Sequence, residues 1–220
     1  MSFARTKAFA LPLLATLVLA GTAVANADPI SNGNFNAGLS SGGYQYDPTG
    51  TGWNFSGGAG IQASPSAWGF STPPGGSGQS AFLQSYVGSI SVPTGNPTSS
   101  ISQTAAGLTG GDSYGVTFYL EQRPGYGSNP VTVTIDGVSV TIDASGDNTW
   151  TKYTEYFTAG GTDTLTFSVT GTGVGPYDND TGLADVSIGA APEPGTLLLL
   201  GSGLLGFAGM ARRKLGKKSA

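Results

Sequence analysis

Hydrophobic and polar residues alternate along most of the chain after residue 80. Eight short segments show this period of two, and they are rich in Thr, Val, Tyr and Phe: SAFLQSYV, SSISQTA, SYGVTFYLEQ, VTVTID, GVSVTID, TWTKYTEYFT, TDTLTFSVTG and GLADVSIG. Because side chains of a strand point alternately to its two faces, this period predicts strands with one buried face. Gly, Asp, Asn or Pro separates the segments, and no clear helical period lies between them. The pattern therefore predicts an all-β, antiparallel β-sandwich.

Asp136 and Gly137 join two of these segments and predict a hairpin. A type I′ turn requires positive φ at both central residues, and Asp-Gly favours that conformation. Residues on one face of a strand recur at every second position. The inner faces are therefore predicted to include these apolar residues: Phe118, Leu120, Phe157, Leu165, Phe167 and Val169.

The region from residue 30 to residue 78 has a looser pattern, with long loops rich in Gly, Pro and Ser such as STPPGGSG. Loops of this length in a compact domain are functional or mobile. They carry five aromatic residues: Tyr44, Tyr46, Trp53, Trp68 and Phe70.

Residues 1–27 differ from the rest of the chain. Basic residues precede an apolar run at 11–19, and Ala-Asn-Ala at 25–27 fits the small-x-small rule for cleavage. This arrangement predicts a signal peptide that signal peptidase removes after Ala27. The alternative is an uncleaved membrane anchor, which the shortness of the run and its proline disfavour.

The body of the chain, residues 28–191, is acidic. Its basic residues are Arg123 and Lys152, against twelve Asp and Glu residues, so its formal net charge is −10, compared with −4 for the whole chain. A domain of this charge repels anionic polymers, so we expect no nucleic-acid partner.

The sequence contains neither Cys nor His. Without disulfides an exported domain depends on its hydrophobic core, which suffices at this length. These absences exclude zinc sites built on Cys or His. They also exclude catalytic arrangements in which an imidazole activates Ser or Cys.

Six features of the body follow one another in a defined order: SNGNFNAG, Trp53, ISQTAAGLTGGDSYGVTFYL, VTVTIDG, WTKYTEYFTAGGTDTLTFSVTGTG and GLADVSI. In order and spacing they resemble the carbohydrate-binding-module-like jelly rolls with a galactose-binding-like fold, over nearly all of residues 31–188. The resemblance implies a jelly-roll sandwich and core positions for Trp53 and Trp150, and members of this group are often sugar-binding modules. A fold alone does not define a function.

The C-terminal segment, residues 192–220, has three parts. Pro192-Glu193-Pro194 precedes an apolar run from Leu197 to Ala211, and a basic cluster follows: Arg212, Arg213, Lys214, Lys217 and Lys218. An apolar run followed by basic residues stops transfer with the basic end in the cytoplasm. At about 1.5 Å per residue, the run spans about 22 Å of a hydrocarbon core of about 30 Å. This short span suits a transient anchor.

These three parts resemble the PEP-CTERM sorting signal, whose motif residues here are Pro192, Glu193, Pro194, Arg212, Arg213 and Lys214. The resemblance implies export across the inner membrane and transient anchoring by the C-terminal hydrophobic helix. It also implies cleavage near Pro-Glu-Pro by an exosortase and a final location at the cell surface or outside the cell. The alternative is a permanent tail anchor, which the Pro-Glu-Pro motif disfavours.

Trp68, Phe70 and Tyr126 are the candidate ligand-binding residues. The first two lie in the loop-rich region, and Tyr126 lies in the turn RPGYGSNP. Exposed rings on loops stack on the apolar face of a sugar while nearby Asn, Asp and Arg bind its hydroxyls. The alternative is that these rings cover the open ends of the sandwich.

The resemblance also implies a structural calcium site, formed by an acidic residue after an Asn-x-x-Phe pattern and by an Asp of the closing strand. The corresponding residues here are Asn36 and Asp185, and Ala184 precedes the latter. Because Ca²⁺ prefers charged oxygen ligands, we expect no cofactor, or at most a weak structural calcium. The Asp-Asn-Asp sequence at 178–180 offers further oxygens, but we expect it to form a solvated turn.

Catalysis has little support in the sequence. Glycoside hydrolysis needs two positioned carboxyl groups, and the body has two glutamates, Glu121 and Glu155. Glu121 lies two residues from Arg123, so both are expected on one face of a strand, where an ion pair is favoured over a raised pKa of Glu121. We therefore expect that the protein is not an enzyme.

Two functions remain, with a glycoside-active enzyme as a distant third. The first is a non-catalytic module that binds extracellular polysaccharide, and the second is a structural surface or biofilm-matrix protein without a small ligand. Convergence of Trp68, Phe70 and Tyr126 on one exposed face would favour the first, and their separate burial the second.

Overall fold

The computed structural model describes residues 28–39, 43–63, 67–76, 78–86, 98–144, 149–171, 178–191, 201, 203 and 204. Within these residues the structure has eleven strands: β1 Tyr44–Tyr46, β2 Asn54–Ser56, β3 Ala59–Ala63, β4 Gln79–Tyr86, β5 Thr98–Thr104, β6 Ser113–Gln122, β7 Val131–Ile135, β8 Val138–Ile142, β9 Thr151–Thr158, β10 Thr164–Thr170 and β11 Asp178–Ala190.

The strands form two antiparallel sheets. One has six strands in the order β1-β3-β4-β11-β6-β9, and the other has five in the order β2-β5-β10-β7-β8. The eight alternating segments correspond to β4 through β11, so the predicted all-β sandwich is confirmed. The structure adds β1, β2 and β3 in the looser region, where strands of three to five residues are too short for an alternating pattern to be visible.

The two sheets enclose one hydrophobic core, and all six residues predicted for their inner faces are buried in it. Trp53 is also buried there, with its ring centroid 5.4 Å from that of Phe35 and 6.5 Å from that of Phe167. Burial of a side chain as large as Phe contributes about 1.5 to 3 kcal/mol. The hairpin prediction is confirmed as well, because Asp136 and Gly137 have φ of 48° and 74° between β7 and β8.

The predicted processing segments lie largely outside the described residues. This is so for the signal peptide at 1–27, for Pro192-Glu193-Pro194 and for the basic residues at 212–214. Three residues of the predicted C-terminal helix are described and are helical: Gly201, Gly203 and Leu204. Among the described residues, no helix has the length and hydrophobicity to cross a membrane.

Candidate ligand-binding site

The outer face of the six-stranded sheet is partly covered by residues 67–76, hereafter the covering segment. Phe82 in β4 points to this face, because its neighbours Ala81 and Leu83 belong to the core between the sheets. Phe82 is nevertheless fully buried. Trp68 of the covering segment packs on it edge to face, with ring centroids 5.7 Å apart.

Trp68 is the centre of a group of contacting side chains on this face. Its ring centroid is 4.9 Å from that of Tyr44, and the guanidinium carbon of Arg123 lies over the Trp68 ring, 5.0 Å from its centroid. The same carbon lies 3.7 Å from the ring centroid of Tyr126. Tyr44 is 45% exposed and Tyr126 is 38% exposed. Tyr44, Trp68, Arg123 and Tyr126 together are hereafter the aromatic cluster.

A tight turn positions Tyr126 beside Arg123. Residues 123–126 read Arg-Pro-Gly-Tyr, the amide of Tyr126 donates to the carbonyl of Arg123 at 3.4 Å, and Gly125 has φ of 77°. Pro at the second position and positive φ at the third are features of a type II turn. The side chain of Gln122 donates to the Tyr126 carbonyl at 2.9 Å, which ties the turn to the end of β6.

The positive charge of Arg123 is compensated within the protein. Its Nη1 donates to Oδ2 of Asp180 at 2.8 Å, and the side chains of Arg123 and Asp180 are 11% and 0% exposed. A charge-assisted hydrogen bond of this length holds the guanidinium in place between the two rings. The cluster therefore offers ring faces at the surface with little net charge.

Phe70 and Trp150 form a second ring pair, apart from the cluster. Phe70 is 4% exposed, and its ring centroid lies 6.1 Å from that of Trp150. Gly182 of β11 makes room for them, since a Cβ there would lie 2.6 Å from Trp150 and 3.4 Å from Phe70. The structure thus brings together Trp68 and Tyr126 of the three predicted residues and places Phe70 elsewhere. Trp150 is only half-buried rather than a core residue.

The predicted surface pair of Glu121 and Arg123 is wrong. Arg123 pairs with Asp180, while Glu121 is fully buried and accepts hydrogen bonds from the amide and hydroxyl of Ser71. Burial raises the pKa of Glu121, and the hydrogen bonds from Ser71 lower it again in part. This arrangement was not predictable from local sequence, because Ser71 of the covering segment is fifty residues away from Glu121 along the chain.

The two calcium candidates lie on segments that meet, since the amide of Val186 donates to the carbonyl of Gly33 at 2.9 Å. Asn36 is exposed, and its amide donates to Oδ1 of Asn34. Asp185 lies at an irregularity of β11 with φ of 49°, and a Cβ on Gly75 would lie 3.0 Å from its Oδ1. No group of three or more acidic side chains gathers in the described part of the chain.

The Asp-Asn-Asp sequence at 178–180 is not a solvated turn as expected, because it begins β11. Asp180 is fully buried against Arg123, and Asn179 accepts a hydrogen bond from the amide of Gly127 at 3.0 Å. These contacts connect β11 to the turn that carries Tyr126. The segment therefore supports the aromatic cluster.

A second concave region lies on the other side of the molecule, beside β2 and β5. Its volume is about 420 Å³, within the range of ligand pockets, and five of its eight lining residues have polar or charged side chains. The lining residues are Asp28, Pro29, Ser31, Gly52, Asn54, Gln103, Thr104 and Ala106. Hereafter this region is the polar pocket.

The C-terminal segment and the body of the chain each resemble known proteins. Residues 190–214 match the PEP-CTERM protein-sorting motif, which indicates export and sorting to the cell surface. A search of curated proteins gives no match to the chain. Solved structures of similar fold include carbohydrate-binding modules, and the body shares its jelly-roll fold with one of them.

Two of these structures illustrate the extent of the likeness. TmCBM61, solved in complex with β-1,4-galactotriose, has a TM-score of 0.51 and 13% identity, covering 76% of this chain and 100% of the module. The CBM22-1 xylan-binding domain of Paenibacillus barcinonensis Xyn10C has a TM-score of 0.42 and 12% identity, covering 69% of this chain and 97% of the domain. At such identities the likeness concerns the fold alone.

Proposed function

We propose that the protein is an exported, non-catalytic module that binds neutral or cationic extracellular glycan through the aromatic cluster. The proposal includes removal of residues 1–27 by signal peptidase. It also includes transient anchoring by the C-terminal helix before an exosortase releases the body at the cell surface.

The observation that carries the proposal is the exposure of Tyr44, which contacts Trp68, and of Tyr126, which Arg123 links to Trp68. Their rings are held by contacts with Trp68 and Arg123, so they present fixed apolar surfaces to solvent. A rigid ring stacks on the C–H face of a sugar with little loss of side-chain entropy. The jelly-roll fold of carbohydrate-binding modules supports this interpretation but does not identify a ligand.

Charge favours neutral over anionic glycan. The body has a formal net charge of −10, and one of its two basic residues, Arg123, is already neutralised by Asp180. An anionic polysaccharide would meet repulsion without a compensating cationic contact. Neutral glycans such as β-1,4-galactan and unsubstituted xylan are therefore the first ligands to test.

The carboxylates beside the cluster support a binding role rather than glycoside hydrolysis. A general acid or base has to reach the bond that it acts on. Glu121 is fully buried and engaged by Ser71, and Asp180 is fully buried and engaged by Arg123. Both carboxylates therefore stabilise contacts within the protein.

A structural role without a small ligand is the second candidate. The observation in its favour is that Arg123 fills the gap between Trp68 and Tyr126, so one face of each ring is already used within the protein. In that case the cluster would stabilise the turn at 123–126 and the covering segment alone.

A glycan array probed with the purified full-length protein tests the proposal. We expect modest binding to neutral glycans, because a stacked ring contributes only about 0.5 to 1.5 kcal/mol. We expect no binding to polyanionic glycans, because the acidic body repels them. Display of many copies on a surface would raise the apparent affinity through avidity. Absence of binding to every neutral and cationic glycan would favour the structural role.

A further inference from the structure

The outer face of the five-stranded sheet presents an unbroken set of small polar side chains. Two rows cross all five strands in register from β2 to β8. Along the first row lie Ser56, Ser100, Ser168, Thr132 and Thr141, and along the second lie Asn54, Ser102, Thr166, Thr134 and Ser139. Two shorter rows add Thr104 with Thr164, and Thr98 with Thr170. These positions together are hereafter the hydroxyl face.

The burial pattern confirms that these side chains point outward. They are exposed or half-exposed, and they alternate along β5, β7 and β10 with buried residues. None of the positions in these five strands' outer rows carries a charge, although the body as a whole is at −10. The rows themselves are therefore uncharged, and Asp28, which lines the polar pocket beside them, accepts hydrogen bonds from the amides of Ile30 and Ile188.

Hydrogen bonds across the strands orient several of the hydroxyls. Thr132 and Thr141 are 3.0 Å apart at their Oγ1 atoms, Thr134 Oγ1 and Ser139 Oγ are 2.8 Å apart, and Thr104 and Thr164 are 3.2 Å apart. A hydroxyl has one donor and two acceptor positions, so each such pair retains capacity for a ligand. The rows therefore form an ordered array of donors and acceptors.

The polar pocket opens at one end of this array, which is a separate observation that points to a ligand. Asn54 and Thr104 belong both to the rows and to the pocket lining. Gln103 is held beneath them, because it accepts from the amide of Ser31 at 2.7 Å and donates to the carbonyl of Gly52 at 2.8 Å. The pocket is thus a preformed polar depression of about 420 Å³.

The shape and charge of the face favour one kind of partner. Neighbouring strands are rotated by roughly 20–25° relative to each other, so a rigid flat lattice such as ice would touch only part of the array. A flexible chain can follow a row across the twisted sheet. An uncharged chain rich in hydroxyls matches both the donors and acceptors of the rows and the absence of charge.

We infer that the hydroxyl face and the polar pocket form a second binding surface for a neutral polysaccharide. The chain lies along the rows, and one sugar unit occupies the pocket. This surface and the aromatic cluster lie on the outer faces of opposite sheets. A single molecule therefore holds two polysaccharide chains and bridges them, and this bridging rests on the proposed function of the aromatic cluster.

The test compares three variants of the full-length protein on soluble β-1,4-galactan and, in parallel, a soluble neutral β-glucan. The row variant carries Ser102→Ala, Thr134→Val and Thr166→Val, which remove three hydroxyls, and the two Val substitutions keep a high strand propensity. The cluster variant carries Tyr44→Ala and Tyr126→Ala. The matched control carries Thr117→Val and Thr154→Val, a cross-strand pair at 3.3 Å on the other sheet.

Three quantities are measured for each variant. They are retention in a gel that contains the polysaccharide, the viscosity that the protein adds to a polysaccharide solution, and affinity for the trisaccharide β-1,4-galactotriose. Light scattering is used to check that each protein is monomeric. The wild type should be retained and should raise the viscosity. The row variant should be retained about tenfold less and add no viscosity, while its trisaccharide affinity stays that of the wild type. The control should match the wild type.

Other results would overturn the inference. It fails if the row variant equals the wild type in retention and viscosity, or if the wild type is retained by neither polysaccharide. If the cluster variant alone loses retention, the proposed function stands and the second surface does not exist. If the row variant alone loses it, the second surface stands, and the proposed function and the bridging fail. If the wild type shows thermal hysteresis during freezing and the row variant does not, the hydroxyl face binds ice rather than polysaccharide.

Discussion

Ser71 donates hydrogen bonds from its amide and its hydroxyl to the carboxylate of Glu121, which is fully buried. The carbonyl of Ser71 in turn accepts from Nε1 of Trp150 at 3.1 Å. One residue of the covering segment is therefore attached both to β6 and to the residue that precedes β9. These bonds fix the segment that carries Trp68.

We expect Glu121→Gln to stabilise the protein at neutral and alkaline pH. Because burial raises the pKa of Glu121 in the folded state, the protonated form favours folding. The stability that protonated Glu121 contributes to the folded state is fully present below the unfolded pKa of about 4.3. It is lost as pH rises through the folded pKa. The variant has no such loss. The melting temperature of the variant should exceed that of the wild type by an amount that grows as the pH rises from 4 to 9.

The matched control for this prediction is Glu155→Gln, since Glu155 lies half-exposed on β9. Its melting curve should follow that of the wild type across the pH range within the usual spread of surface substitutions, about 0.5 kcal/mol. A Glu121→Gln variant that is less stable than the wild type at every pH would show that the charged hydrogen bonds from Ser71 outweigh burial.

Phe70→Ala should destabilise the fold rather than act on ligand binding. Phe70 is 4% exposed and packs between Trp150 and Gly182. Loss of a buried Phe costs about 3 to 5 kcal/mol, which chemical denaturation measures. Tyr156→Ala is the control, because that side chain is 60% exposed. A Phe70→Ala protein of wild-type stability would mean that the ring is not part of the packing.

The strands of the sandwich were predictable because alternation is a local property. Phe118 and Leu120, or Phe167 and Val169, identify the buried face of a strand without knowledge of its neighbours. The three strands before residue 64 have three to five residues each, which is less than the alternating pattern needs. Their identity depends on pairing, as for Tyr44 with Gln62 in β3.

The candidate site was predictable only in part, because it depends on contacts between distant segments. Trp68 and Tyr126 stood out as aromatic residues on loops, and both are in the cluster. The partner of Arg123 did not stand out, since Asp180 lies 57 residues further along the chain and reaches Arg123 only through the pairing of β11 with β6. For the same reason burial of Phe70 was not visible in its sequence context.

Calcium should change the stability of the protein little or not at all. Asn36 supplies no charge, and Asp185 lies next to Gly75. A metal that binds only the folded state raises stability by a term logarithmic in its concentration. Melting with millimolar calcium and with a chelator is the measurement. A large shift between the two would reveal a site formed by other oxygens.

Processing at the C-terminus should remove the apolar run. The sorting motif covers residues 190–214, and cleavage near Pro192-Glu193-Pro194 leaves a body that ends just after β11. Mass spectrometry of protein released from the producing cell should detect a mature N-terminus at Asp28 and peptides up to this motif. Detection of peptides from residues 197–212 in the released protein would contradict the prediction.

The most direct test of the account is the affinity of the Tyr44→Ala, Tyr126→Ala double variant for the neutral glycan that the wild type binds best. Tyr156→Ala is the control, because Tyr156 is a tyrosine outside the cluster that is 60% exposed. Loss of two stacking rings should weaken binding about tenfold, with a melting temperature close to that of the wild type, while the control binds normally. Unchanged affinity in the double variant, measured by isothermal titration calorimetry, would contradict the claim that the aromatic cluster binds glycan.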